Sequence, residues 1–443
     1  MINQRIHQLY DSILGQGSAG TERFFAALQE RDIPPRPDPA RHDYNLYAPN
    51  PVIVAGPLIQ AMTADANTFC RRLQSRIPDA ASLLDRAPAP IQQHYASAEV
   101  AGQLLADLRR AHPLVCLDAF LVDSGHGLQP AYLEWQTVGT YVTTGLLAVE
   151  AAADAWPAIH DYSTLTAWPG LDPAGLRQHL ISLYTQGVED DPRQGVIVDY
   201  RPEICATRRE FWAIQELTGG TERGMGIIDP REIIQAEGGF HYRRDGVLLP
   251  IRRVYSRMVY SDLVQLEREA SPAAIATIRR FFQTADQHTW ISHILHFFYG
   301  SKADLPDFWA QGLSPHIPET VVVTPALIAE YRQHFGRRPI AGFVQKPLNA
   351  QSGRDVLLNP TPDQLAPAAI LQREIVPAAC HRTLFGPRTP EIRVMALPDA
   401  SGQLICGLIY SRIKSPEAFL SNAGALARSA IPGTGESYGI VVY

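Results

Sequence analysis

Cysteine is scarce. Five residues, Cys70, Cys116, Cys205, Cys380 and Cys406, are scattered over 443 positions with no CxxC pair. An odd, widely spaced set supports neither a disulfide framework nor a zinc site, so reduced thiols are expected. Long apolar runs are missing as well. No window approaches the roughly 20 apolar residues of a membrane span, and the N-terminus, MINQRIHQLYDSILG, has no apolar targeting core. There is no basic run, and the formal charge is −6, which argues against nucleic acid as a partner. The chain contains no GxxxxGK[ST] and no GxSxG, and His126, His293 and His381 have no HxxxH or HExxH partner. P-loop phosphate binding, an α/β-hydrolase serine and a zincin site are thereby excluded. A charged fraction of 19% and a hydrophobic fraction of 46% fit a soluble globular protein, and 443 residues suffice for two or three domains or one elaborated multi-layer fold, expected in the cytoplasm and off the membrane.

What is present centres on residues 116–145, CLDAFLVDSGHGLQPAYLEWQTVGTYVTTG. Apolar runs at 116–123 and 131–136, joined by Ser124, Gly125, His126 and Gly127, predict a hairpin. Alternation places Glu134 and Gln136 on one face and Trp135 on the other. With Asp118 on the partner strand, three oxygen-bearing side chains converge in a way that suits magnesium. A polar hairpin end with solvated charges is the simpler account of the spacing alone.

Four regions follow from the pattern. Residues 1–112 read as mostly helical, with an amphipathic helix at 97–111, and 113–168 hold the hairpin and an alanine-rich helix. In 169–290 a strand–helix–strand pattern (195–199, 207–217, 225–229) predicts a small parallel α/β unit on the substrate side, followed by a hairpin turning at Asp245-Gly246. Residues 291–443 carry dense strand signals at 340–346, 355–358, 369–375, 391–397 and 403–410, with a helix at 325–334. An antiparallel sheet is expected there. In this last region Lys346 ends the strand GFVQK beside Ser352 and Gly353, a combination able to hold a phosphate. The stretch ILQREIVP can present Gln372, Arg373, Glu374 and Val376 to a flat ring. Glu391 and Arg393 share a strand face, Arg412 follows in YSRIK, and Asn422 lies in SNAGALA. Guanidinium forks suit a triphosphate or an acyl phosphate. Taken singly, each of these is equally a solvated turn or a surface charge.

Together these motifs resemble the ATP-grasp superfamily of carboxylate–amine ligases. Their order resembles its circularly permuted branch, which includes the eukaryotic-type glutathione synthetases and the glutathionylspermidine synthetases. LDAFLVD…AYLEWQTVG comes first, and FVQKP, ILQREIVP, EIRVM…GLIYSRI and SNAGA follow. VYSRMVYSD is similar to the segment preceding the nucleotide domain, and Ser301-Lys302 to the first ATP-contacting lysine. The resemblance covers roughly residues 112–430 and implies an α/β (α+β) ATP-grasp architecture using ATP and Mg2+. It implies Asp118, Glu134 and Gln136 as metal ligands, and Lys302, Lys346, Ser352 and Gly353 at the phosphates. It also implies Gln372, Arg373, Glu374 and Val376 at adenine, Asn422 near the nucleotide, and Arg393 and Arg412 as catalytic groups at the transferred phosphate. The activity implied is amide or peptide bond formation between small carboxylate and amine substrates through an acyl phosphate, with lids at 350–353 and 421–427. Three departures stand out. Gln136 replaces the usual asparagine, Cys116 replaces an arginine that steadies the acyl phosphate, and NAQSG does not match the triglycine loop of glutathione synthetase. A non-catalytic nucleotide-binding homologue and a phosphotransferase of the same fold stay open, as do the substrates and a homodimer. Arg201, Arg208, Arg209, Arg252 and Arg257 are candidates for a substrate carboxylate.

Overall fold

The computed structural model describes residues 2–36, 46–137, 141–162, 171–205, 207–348, 356–414 and 435–442. Ser352, Gly353 and Asn422, and both lid segments, lie outside them. In chain order the strands are β1 (Val52–Ala55), β2 (Val115–Asp123), β3 (Leu128–Gln136), β4 (Gly195–Val198), β5 (Gly226–Ile228) and β6 (Ile234–Ala236). Next come β7 (Gly239–Arg244), β8 (Val247–Pro250), β9 (Arg253–Ser256), β10 (Thr289–Ser292), β11 (Thr320–Val322) and β12 (Phe343–Pro347). The last are β13 (Leu357–Leu358), β14 (Ala369–Arg373), β15 (His381–Thr383), β16 (Gly386–Pro398), β17 (Leu404–Lys414) and β18 (Gly435–Val442). The fold is mixed α/β with several sheets, as expected. Among the described residues no helix is long and apolar enough to cross a membrane.

The largest sheet has seven strands in the order β1-β18-β17-β16-β2-β3, with β15 paired to β16. The hairpin β2–β3 forms as the alternation predicts, and its register sets Asp118 opposite Glu134 and Cys116 opposite Gln136. Leu117, Ala119, Trp135 and Val394 share a core with Met62, Ala66 and Phe69 of the helix Gly56–Arg76. Phe69 meets Trp135 edge-on at 5.8 Å and stacks on Phe308 at 4.7 Å; burying rings of this size contributes roughly 3 kcal/mol each. The opposite face, with Cys116, Met395, Leu408 and Tyr410, shares a second core with the helix Val142–Ala155. That helix can approach because Gly145 has no side chain: a Cβ there would sit 2.7 Å from the Tyr438 ring. Alanine-rich composition and a glycine at the contact thus set how closely helix and sheet pack. The N-terminal region is mostly helical but also supplies β1, which pairs in parallel with β18 near the C-terminus.

Three smaller sheets accompany the large one. The parallel sheet runs β10-β9-β4-β5. From β4 the chain crosses through the helix Arg208–Leu217 to β5 on one side, then returns to place β9 on the other side of β4. The beginning of β6-β7-β8 follows β5, and its turn at Asp245 and Gly246 takes positive φ at both positions (51° and 79°), as a two-residue hairpin turn requires. The third sheet, β11-β14-β12-β13, is antiparallel and carries its own core of Val323, Ile328, Ile340, Leu365, Ala369 and Leu371 beneath the helix Pro325–Phe335.

Candidate active site

Antiparallel register assembles a row of polar side chains across the large sheet. Glu134 lies opposite Asp118, Asp118 opposite Arg393, and Arg393 opposite Tyr410. One step along the strands, Glu391 lies opposite Arg412. Directly opposed residues on antiparallel strands share a face and sit within side-chain reach. The ion pairs follow from this register. Arg393 donates from Nε and Nη2 to the two carboxylate oxygens of Asp118, both at 2.5 Å. Arg412 reaches Asp118 at 3.4 Å and bonds Glu391, and Lys414 reaches Glu391 at 2.5 Å. Asp118 is 1% exposed, so a fork-to-fork pair is the arrangement that offsets its desolvation. Burial opposes the charge on Glu391, yet Arg412 and Lys414 together hold its carboxyl at about 2.

The third sheet brings its lysine to this row. Lys346 on β12 donates to Leu133 O on β3 at 3.0 Å, beside Glu134, and to Gln372 Oε1 at 2.6 Å. Burial lowers Lys346 to about 8; Glu134, Glu391 and Asp118 pull it up and Lys302 pushes it down. Burial also lowers Lys302, against the pull of Glu134. Lys302 is placed by the turn Lys302–Asp304, where Asp304 accepts from Ser301 N at 3.1 Å and pairs with Arg86 of the N-terminal region. Arg86 also donates to Tyr299 O at 2.7 Å. The helical N-terminus therefore has a structural part in the site, since its arginine steadies the turn that carries Lys302.

Among the described residues the cluster holds five cations, Lys302, Lys346, Arg393, Arg412 and Lys414, against three carboxylates, Asp118, Glu134 and Glu391. A partly buried excess of positive charge fits an anionic group such as a polyphosphate. For a metal the fit is narrower. Asp118 is committed to Arg393, and among the described residues no three His, Cys, Asp or Glu side chains come together to hold an ion. Glu134 and Gln136, both half-buried, are the oxygen donors left for magnesium.

The stretch after β14 behaves differently from a simple ring-binding edge. Gln372 is buried and turned to Lys346, while Arg373 turns outward to Glu319 (3.0 Å) and lies over the Phe343 ring at 4.7 Å. Glu374 donates its backbone N–H to Gly342 O at 2.7 Å, and Val376 is 80% exposed.

A second cluster lies at the carboxyl ends of the parallel strands, where the chain direction around β4 switches. Such switch points form crevices that receive ligands. Asp199 follows β4 and Arg257 follows β9, both buried. Nε and Nη1 of Arg257 find no hydrogen-bond partner among the described residues, and its guanidinium lies 5.7 Å from the Tyr255 ring centre. Burial raises the Asp199 carboxyl to about 6. Glu210, nearby, accepts from Thr143 N at 2.9 Å and Thr144 N at 2.8 Å, closing the start of the helix Val142–Ala155. Cys116 shares an apolar core with Tyr255 and is within electrostatic reach of Arg393.

Sequence reasoning brought Asp118, Glu134, Lys302, Lys346, Arg393 and Arg412 into one cluster. Lys414 and Asp199 were not singled out, and Asp118, expected at a metal, lies against the Arg393 guanidinium. The spacing Arg412-x-Lys414 on one strand, two residues apart on a shared face, was a readable signal. Of the arginine candidates, Arg257 is buried with Nε and Nη1 lacking a hydrogen-bond partner among the described residues, whereas Arg201 pairs with Glu269 at 2.8 Å.

No family model and no curated protein matches the chain. Among solved structures it is similar to a glutathione synthetase-like effector from Globodera pallida in its apo form, with 12% identity, 89% of each chain covered and a TM-score of 0.46. It is also similar to D-alanyl-alanine synthetase A from Vibrio cholerae O1 biovar eltor, with 15% identity over 54% of this chain and 73% of that one, and a TM-score of 0.29. Neither likeness is close enough to fix activity, substrates or ligands for this chain.

Proposed function

We propose that this protein is an ATP-dependent carboxylate–amine ligase of the ATP-grasp type, in its circularly permuted order, acting on small amino-acid or peptide-like substrates through an acyl phosphate. The observation that carries the proposal is the meeting of Lys346 with β3 beside Glu134: cations from late in the chain face carboxylates from early in it, in one buried cluster. ATP with Mg2+ would supply the phosphoryl group that activates the carboxylate. Lys302 and Lys346 would hold phosphates, and Glu134 and Gln136 would hold magnesium. Arg393, beside Cys116, stands where it can supply the charge that the cysteine does not. Arg257 would take the substrate carboxylate in the adjoining crevice, where burial keeps water from the activated group. Positioning and charge neutralisation then do the work expected in phosphoryl transfer.

The internal pairing of Asp118 with Arg393 favours one rival, a nucleotide-binding protein without turnover. Phosphate release decides between them. In a screen of amino-acid and dipeptide pairs with MgATP, one pair should stimulate release and yield an amide by mass spectrometry. Glu134→Ala should lower that release by at least about a hundredfold. Release that persists in the variant, or that never exceeds background, counts against the ligase.

A further inference from the structure

Gln372 sits where β14, the central strand between β11 and β12, faces β3 of the large sheet. Its amide is fully used. Nε2 donates to Tyr132 O at 3.2 Å and to Thr320 Oγ1 at 3.1 Å, and Oε1 accepts from Lys346 Nζ at 2.6 Å. The partners fix the orientation, because a flipped amide would set N–H against an ammonium and oxygen against a carbonyl. Thr320 is itself oriented by donating to Pro318 O at 2.7 Å.

The acceptors on β3 are available for a reason visible in its register. Tyr132 pairs with Ala119 and Glu134 with Asp118, so Leu133 is an extra residue, a bulge on an edge strand. Bulges free backbone groups from the ladder and often lie beside functional sites. Here the freed carbonyl of Leu133 takes the second Lys346 hydrogen bond.

We propose that Gln372 is the positioning residue of the nucleotide site: its amide oxygen, with the Leu133 bulge, pins the Lys346 ammonium beside Glu134. This rests on Lys346 being a phosphate contact. The lysine is half-buried within a mixed set of charges, Glu134 on β3, Asp118 on β2, Glu391 on β16 and Lys302 on its turn. With its changeover near pH 8, a lost acceptor alters how much of it is charged at working pH. Gln372 therefore acts on the nucleotide through Lys346.

The test is MgATP affinity by calorimetry from pH 6.5 to 9 in four proteins: wild type, Gln372→Met, Gln372→Glu and Lys346→Met. Wild-type affinity should fall above about pH 8 as Lys346 loses its proton. Gln372→Met should move that fall about one pH unit lower, binding within about twofold of wild type at pH 6.5 and close to tenfold weaker at pH 8.5. Gln372→Glu, almost the same shape, should move it higher, and it carries the test alone if the methionine variant does not fold. A uniform loss across all pH values with the fall unmoved overturns the proposal, because a purely structural role predicts that. Lys346→Met separates the underlying reading: wild-type affinity in that variant means Lys346 does not touch the nucleotide.

Discussion

The two buried clusters are built on opposite plans. On the antiparallel sheet, register sets each guanidinium opposite a carboxylate, so the chain answers its own charges: Arg393 with Asp118, and Arg412 and Lys414 with Glu391. At the carboxyl ends of the parallel strands no such opposition exists. Arg257 projects beyond β9 with Nε and Nη1 unanswered among the described residues. An antiparallel ladder can encode its ion pairs in strand register, whereas strand ends leave groups aimed at whatever fills the crevice. The first cluster should therefore carry stability together with nucleotide chemistry, and the second should carry recognition with little effect on stability.

Arg393→Met tests that contrast where the effect is largest. It leaves the Asp118 carboxylate buried with, among the described residues, only Arg412 as a cationic partner, at 3.4 Å. Removing one partner of such a pair costs about 3–5 kcal/mol, to be read from urea unfolding at pH 7. The double variant with Asp118→Asn should recover much of the loss, since it removes the stranded charge as well. A single-variant cost below about 1 kcal/mol would mean that the row across the sheet does not hold the fold together.

Acid should separate the two regions next, through His288 beside the parallel sheet. Its ring stacks on Phe281 at 4.6 Å and meets Trp290 edge-on at 4.7 Å, and neither ring nitrogen has a partner among the described residues. Burial, with Arg252 adding to it, pushes the imidazole down to about 3. The unfolded ring titrates near 6.5, so the unfolded chain binds the extra proton and stability declines as pH falls from about 6.5 toward 3. Between pH 7 and 5 the loss from this one ring is about 2 kcal/mol. His288→Phe should be flatter than wild type by that amount in urea unfolding at the two pH values. Glu391, held near 2, gives nothing away until pH drops below its ordinary 4.5. Equal losses in wild type and variant would remove the histidine from the account.

The contrast also explains what could be read from the amino acids. Elements with a local signature were legible: the hairpin from its apolar runs, the helix Ala98–Arg110 from its amphipathic spacing, and the turn from Asp245-Gly246. The strands Val52–Ala55 and Gly435–Val442 were not: the first has only four residues, and their pairing joins the two ends of the chain. For the same reason Asp118 looked like a free metal ligand. Its true opposite, Arg393, is set by the pairing of β2 with β16, and nothing near either residue announces that register. Gln372 looked like the rim of a ring-binding edge, yet it lies on a central strand with a strand on each side, and its amide turns to Tyr132 O of β3. Residue types were legible and their partners were not.

The smallest expected change in stability belongs to Arg257→Met, and it is the sharpest test of the comparison. Methionine keeps most of the length and the apolar contact with Tyr255 while deleting a guanidinium whose Nε and Nη1 bond nothing among the described residues. Burying such donors without partners is itself costly, so their removal offsets the loss of attraction to Asp199 and Glu210. The net change should stay within about 1 kcal/mol. MgATP affinity, set in the other cluster, should be unchanged, while kcat/KM for the carboxylate substrate should drop about a hundredfold, the scale of one lost charge-assisted bond. A loss of stability as large as that of Arg393→Met would make Arg257 a structural group like Arg393, and the difference between the clusters would vanish. Unchanged stability with unchanged kcat/KM would leave the crevice without a substrate, and the carboxylate would have to be sought along the large sheet instead.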